Sequence, residues 1–163
     1  MWYAILGVVL LAGDQILKYW VVTHLAVGES APFLPGFMQL TRLHNYGAAW
    51  SSLSGRTVLL VVFTAVLLAA VALLLIKKVV RHWTGITACT LILSGGIGNI
   101  IDRIVHGYVV DMFDLQLFSY PVFNLADCCV VVGAILGGIY YLFLYEKYLS
   151  LIHISEPTRQ EAI

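Results

Sequence analysis

Charge is scarce in this sequence, and the scarcity excludes most soluble folds. Asp, Glu, Lys and Arg make up 11% of the 163 residues, where a soluble globular domain usually carries about a quarter. With 61% apolar residues and a mean hydropathy of +0.92, there is too little polar side chain to cover a water-facing surface. The chain therefore reads as an integral membrane protein. Lys plus Arg equals Asp plus Glu, nine of each, so no basic excess points to nucleic acid as a partner. Cysteine is sparse as well. Cys89, Cys128 and Cys129 all lie in apolar runs, and an odd number without C-x-x-C spacing argues against a disulfide framework or a zinc site. They read as small packing residues.

What is present is a set of four long hydrophobic segments, each near the roughly 20 residues that a spanning helix needs. They cover about 2–22, interrupted by Asp14 and Lys18; 57–76, free of charge; 84–105, ending in "GGIGNIIDR"; and 123–145. The first is too long for a signal-peptide core and lacks a small-residue cleavage site, so it is expected to be a retained helix. Lys77, Lys78 and Arg81 crowd the link between the second and third segments, and the positive-inside rule puts that link in the cytoplasm. Both termini then lie there too, with Lys147 in agreement; Arg42 and Arg56, on the outer side, weaken the rule without reversing it. The outer connections are about 23–56 and 106–122. The first, with Pro32, Pro35, Gly36 and the stretch "FMQLTRL", is long for a connector and is expected to hold a short β-rich element on the outer surface. The expected fold is an all-α membrane protein, four transmembrane helices with a small β-rich platform, in one domain over residues 1–150. The tail "LIHISEPTRQEAI", 151–163, differs in composition and reads as a non-native scar or translated adapter, so it is set apart from the fold.

Polar side chains inside spanning helices mark function or a partner by default. At about 1.5 Å of rise per residue, Asp14 and Lys18 fall in the outer half of the first helix. Asn99, Asp102 and Arg103 fall at the outer end of the third, and Asn124 and Asp127 in the first turns of the fourth. This predicts one polar chamber near the outer leaflet, walled by the first, third and fourth helices. Asp14 and Lys18, four apart, can be a mutually neutralising pair. Asp102 and Arg103 point to different faces and need partners on other helices, for a network or for chemistry.

Asp127 is the one charged residue between Leu115 and Tyr145. Asn124, one turn before it, cannot neutralise it. Either it stays protonated or it shares a proton with a second carboxylate. Asp111 and Asp114, in "YVVDMFDL", are both available once the loop containing Pro121 folds back. Two carboxylates in contact cannot both ionise easily. The ionised one can then deprotonate a water while the protonated one polarises a carbonyl, which is aspartic protease chemistry. Other membrane-protease signatures are missing. There is no H-E-x-x-H, and the five histidines are scattered. "SLSG" lacks the first glycine of G-x-S-G, and "GIGN" stands where G-x-G-D would be needed. No metal or other cofactor is called for.

Five motifs together, "DQILK" (14–18), "NYGAAW" (45–50), "GGIGNIIDR" (95–103), "GYVVDMFD" (107–114) and "FNLADCC" (123–129), resemble the bacterial lipoprotein signal peptidases, or signal peptidase II. They occur in the family's order over nearly the whole chain before the tail. The resemblance implies four transmembrane helices under a small sheet, in the bacterial cytoplasmic (inner) membrane. It also implies a substrate, a prolipoprotein whose cysteine already carries a diacylglyceryl group, cleaved just before that cysteine, and inhibition by globomycin. By motif, Asp111 and Asp127 would be the catalytic pair. Asn45, Gly47, Asn99, Arg103 and Asn124 would line the site and hold substrate backbone or the dyad, with Asp14 and Lys18 in support. Cys128 and Trp50 depart from the family's common residues without touching the dyad. The partners expected are prolipoprotein signal peptides and membrane lipid, with a monomer as the default. The rival reading is a small proton- or ion-coupled transporter, although paired halves and midplane sites are not evident.

Overall fold

The structure, a computed structural model, describes residues 2–47 and 52–145. Four helices are long and apolar enough to cross a membrane: α1 (Trp2–His24), α2 (Thr57–Ile76), α3 (Trp83–His106) and α4 (Leu125–Ile139), the last continued by a π-helical turn, Tyr140–Leu144. Three strands, β1 (Ser30–Leu34), β2 (Met38–Asn45) and β3 (Val109–Leu115), form an antiparallel sheet in the order β1-β2-β3. The expected helices are present with ends shifted by one or two residues. The fourth starts at Leu125 because Phe123 is drawn into a bridge with Phe113 and Asn124 takes the N-cap. Trp50, Lys147 and the tail 151–163 lie outside the described residues.

The β-rich platform is larger than the 23–56 connection alone. Leu34–Pro35–Gly36–Phe37 makes a tight turn, with Phe37 N–H donating to Leu34 C=O (3.0 Å) and Gly36 at φ +73°. Proline followed by a positive-φ glycine is what a type II turn requires. It closes the β1–β2 hairpin, while β3 comes from the connection between α3 and α4 and pairs with β2, Leu43 facing Asp111 and Gln39 facing Asp114. The platform is anchored by burial. Val110 and Met112 of β3 pack with Val21 and Leu25 at the end of α1. Arg42 of β2 donates to the terminal carbonyls of α1, Val22 O (3.0 Å) and Leu25 O (2.9 Å). Capping those carbonyls is why a basic residue sits on this side.

α3 is the hub, packing against α1, α2 and α4. Close approach depends on its glycines. A Cβ on Gly95 would collide with the Ala126 carbonyl oxygen of α4, one on Gly96 would meet Leu68 of α2 at 2.6 Å, and one on Gly98 would meet the Asp14 carboxylate of α1 at 2.7 Å. Each glycine thus admits a different neighbour, in the manner of small-residue contacts between membrane helices. Elsewhere the helices are largely apolar on their outer faces: Val58, Phe63, Val66 and Ile76 of α2 are all more than half exposed.

Candidate active site

α4 begins with a reciprocal cap. The Asn124 side-chain oxygen accepts from Asp127 N–H (2.9 Å), and the Asp127 carboxylate accepts from Asn124 N–H (3.2 Å). Such a capping box satisfies two of the donors that a helix start leaves open. "FNLAD" is therefore a helix-start signal as well as an acid-bearing motif, and the cap fixes where Asp127 points.

Asp111 reaches the same place from β3. Alternation along the strand sends Val110 and Met112 toward α1 and Val109 and Asp111 toward a cavity of about 420 Å³. Asp127, Asn45, Asn99 and Arg103 line that cavity too. Asp114, three residues on, accepts instead from the Gln39 (2.7 Å) and Thr41 (3.0 Å) side chains of β2. The sheet uses it structurally, and it is absent from the cavity wall.

The two carboxylates are linked by amides. Asn124 Nδ2 donates to Asp111 Oδ1 (2.7 Å) and to Asn99 Oδ1 (3.3 Å), and Asn99 Nδ2 donates to Asp127 Oδ1 (2.8 Å). Asn45 Nδ2 holds the other oxygen of Asp111 (3.0 Å). Burial raises the pKa of Asp111 to about 7, helped by the negative charge of Asp127 and opposed by the Asn45 and Asn124 amides and by Lys18. Near neutral pH this carboxyl retains a proton over a substantial fraction of molecules.

Behind the pair lies a second, fully internal network. Lys18 Nζ sits 2.8 Å from Asp14 Oδ2, 3.0 Å from Asp102 Oδ2 and 3.0 Å from Asn99 Oδ1. Asp14 Oδ1 accepts from Ala126 N–H (2.9 Å) in the first turn of α4, and Asp102 accepts from Val110 N–H (3.1 Å) of β3. The network thus orients the two elements that carry the pair. Asp14 and Lys18 are buried and do not line the cavity. The sequence expectation that the first helix walls the chamber is corrected: Phe63, Thr64 and Leu67 of α2 form that wall, while α1 stands behind Asn99. Gln15 is a further member of this network, and its signal in the sequence is an amide within an apolar helix. Its Nε2 donates to Asp14 and Asp102 (3.2 Å each) and to Gly98 O (3.4 Å).

Arg103 donates from one terminal nitrogen to Gly47 O (2.7 Å) and from the other to Asn99 O (3.4 Å), and Gly47 N–H donates to Asn45 Oδ1 (2.9 Å). The 45–47 turn is tied in this way to α3 beside Asp111. Among the described residues no group of His, Cys, Asp and Glu is placed to hold a metal ion. The three cysteines are free; Cys129 packs beside Gly95.

Fold and site define a polytopic membrane protein with two carboxylates on one cavity wall beneath a three-stranded sheet. The family model for Signal peptidase (SPase) II matches residues 6–143. The lipoprotein signal peptidase of Enterococcus faecalis is 41% identical over 145 residues, 89% of this chain and 89% of its own. That of Lactiplantibacillus plantarum is 41% identical over 136 residues, 83% of this chain and 91% of its own. Two bacterial membrane enzymes solved by the in meso method superpose with TM-scores of 0.80 and 0.79, at 29% and 34% identity. The first match covers 99% of this chain and 93% of that one, the second 86% and 92%. The chain belongs to the signal peptidase II family, and is a peptide hydrolase and a multi-pass bacterial membrane protein. These similarities lend no support to a transporter.

Proposed function

We propose that this protein is an aspartic endopeptidase that removes signal peptides from diacylglyceryl-modified prolipoproteins, cleaving just before the lipidated cysteine. The observation that carries the reading is the meeting of Asp111 and Asp127 on one cavity wall, bridged by Asn99 and Asn124. In this reading Asp111 holds the proton and hydrogen-bonds the scissile carbonyl, while ionised Asp127 takes a proton from a water between them. The water oxygen adds to the carbonyl carbon, whose oxygen takes the Asp111 proton. Collapse of the tetrahedral intermediate breaks the C–N bond as one hydroxyl returns its proton to Asp111 and re-forms the C=O, and the proton gained by Asp127 goes to the leaving amine. Asn45 and Arg103 present donors for substrate backbone along the same wall. The apolar side, including Phe63, Leu67 and Val131, suits a substrate that stays in lipid.

The cavity opens toward the outer leaflet, both termini lie in the cytoplasm, and the enzyme works as a monomer on membrane-held substrate, with residues 1–150 forming the whole catalytic unit. The basic link at Lys77, Lys78 and Arg81, at the opposite end from the pair, supports this orientation.

The test is cleavage of a diacylglyceryl-modified prolipoprotein by purified protein in detergent. Asp111→Asn and Asp127→Asn are each expected to abolish it, and Asp114→Asn to leave most activity; normal turnover by either of the first two removes the dyad. Globomycin is expected to block the parent enzyme, and full resistance counts against the reading.

A further inference from the structure

At the end of the bundle remote from the carboxylates, α1 and α2 part on either side of α3 and leave a groove of about 660 Å³. Gly7, Val8 and Leu11 of α1 form the long wall and α3 from Ile86 to Ile97 the floor, while α2 contributes Leu75 beside the mouth. At about 1.5 Å of rise per residue that floor is roughly 16 Å long, close to one leaflet of a hydrocarbon core about 30 Å thick. The hydroxyls in the floor are engaged by their own helix: Thr90 donates to Ile86 O (2.8 Å) and Ser94 to Leu91 O (3.0 Å). What remains along the groove is an apolar channel about the length of one acyl chain.

Its mouth has the opposite character. Lys78 and Arg81 line the groove where α2 has ended, and both are exposed. Lys78 adopts φ 55°, and its carbonyl accepts from Arg81 Nε (2.9 Å), so the turn holds the two cations together. Neither is ion-paired with a carboxylate among the described residues. Two neighbouring cations at headgroup level, above a chain-length apolar slot, complement an anionic headgroup with its tail.

We propose that this groove binds one anionic phospholipid, its phosphate on Lys78 and Arg81 and one acyl chain past Leu75 along the seam of α1 and α3. The site is separate from the carboxylate cavity, and no residue lines both.

Native mass spectrometry of the full chain in detergent, with equimolar phosphatidylglycerol and phosphatidylcholine, tests the proposal without reference to activity. The parent protein is expected to retain one phosphatidylglycerol in preference to phosphatidylcholine. The K78Q/R81Q double variant should bind phosphatidylglycerol roughly 30-fold more weakly, at about fivefold per basic residue near a membrane surface. Val8→Trp, at a position lining the groove and 67% exposed, should fill the slot without disturbing the core and release both lipids. Equal retention of the two lipids by the parent, no adduct at all, or an adduct unchanged in either variant overturns the proposal. So does a dimer that both variants abolish, which would assign the groove to a second copy.

Discussion

Asn124 does two things with one side chain. Its oxygen caps α4 and its amide nitrogen holds Asp111. Asn124→Ser keeps a good capping oxygen and removes the amide donor. We expect a melting temperature within a few degrees of the parent and cleavage at least tenfold slower, read by thermal denaturation and steady-state kinetics side by side. In the proposed mechanism Asp111 is the group that sets the pH dependence. Its folded pKa is raised from 3.8 to about 7, so its protonated form is lost as pH rises through about 7, and kcat/KM should fall on that limb. Stability has the same sign. The contribution of a group with a raised folded pKa is complete below about 3.8 and lost by about 7. Asp111→Asn removes the titration, so its melting temperature should drop less between pH 5 and pH 8 than the parent's. In the sequence Asp127 was legible because an isolated acid in apolar sequence demands a partner. Residue chemistry alone did not separate Asp111 from Asp114. The separation lies in strand alternation, which sends one to the cavity and the other to Gln39 and Thr41.

Helices were legible from hydrophobic length, the hairpin strands only as a β-rich expectation, and β3 not at all. The reason is physical. Val109, Val110, Asp111 and Met112 are all buried, so β3 lacks the in–out polarity by which a half-exposed strand is recognised. Its partner β2 also precedes two whole helices in the chain. The glycines of α3 were legible as close-approach positions, but not which helix each admits. That assignment makes a prediction at the level of the α3–α4 contact. Gly95→Val drives a side chain into Ala126 and Val130, costing about 1–3 kcal/mol as overpacking does. By separating α3 from α4 it should also pull Asn99 off Asp127 and slow cleavage. Gly138→Ala, where a Cβ meets nothing within 4 Å, should leave both melting temperature and turnover unchanged.

As a whole the molecule is a bundle organised around α3, with the platform clamped to one end. If the orientation is as proposed, an epitope inserted after Lys78 is reached by antibody only once the membrane is permeabilised, and a chain ending at Ser150 cleaves substrate at the parent rate. Labelling in intact spheroplasts, or loss of activity on truncation, would overturn those two points respectively. The carboxylate pair is a product of the assembled molecule, since Asp111 arrives on a strand and Asp127 on the helix that follows it. The internal network has a different history in the chain. Asp14 and Lys18 lie one turn apart on α1, 2.8 Å from each other, while Asp102 and the Ala126 amide come from much later segments. The first helix thus brings both halves of an ion pair with it. It can reside in lipid as an electrically neutral rod from the moment it is synthesised, with its two charges already matched before the remaining three helices exist to receive them.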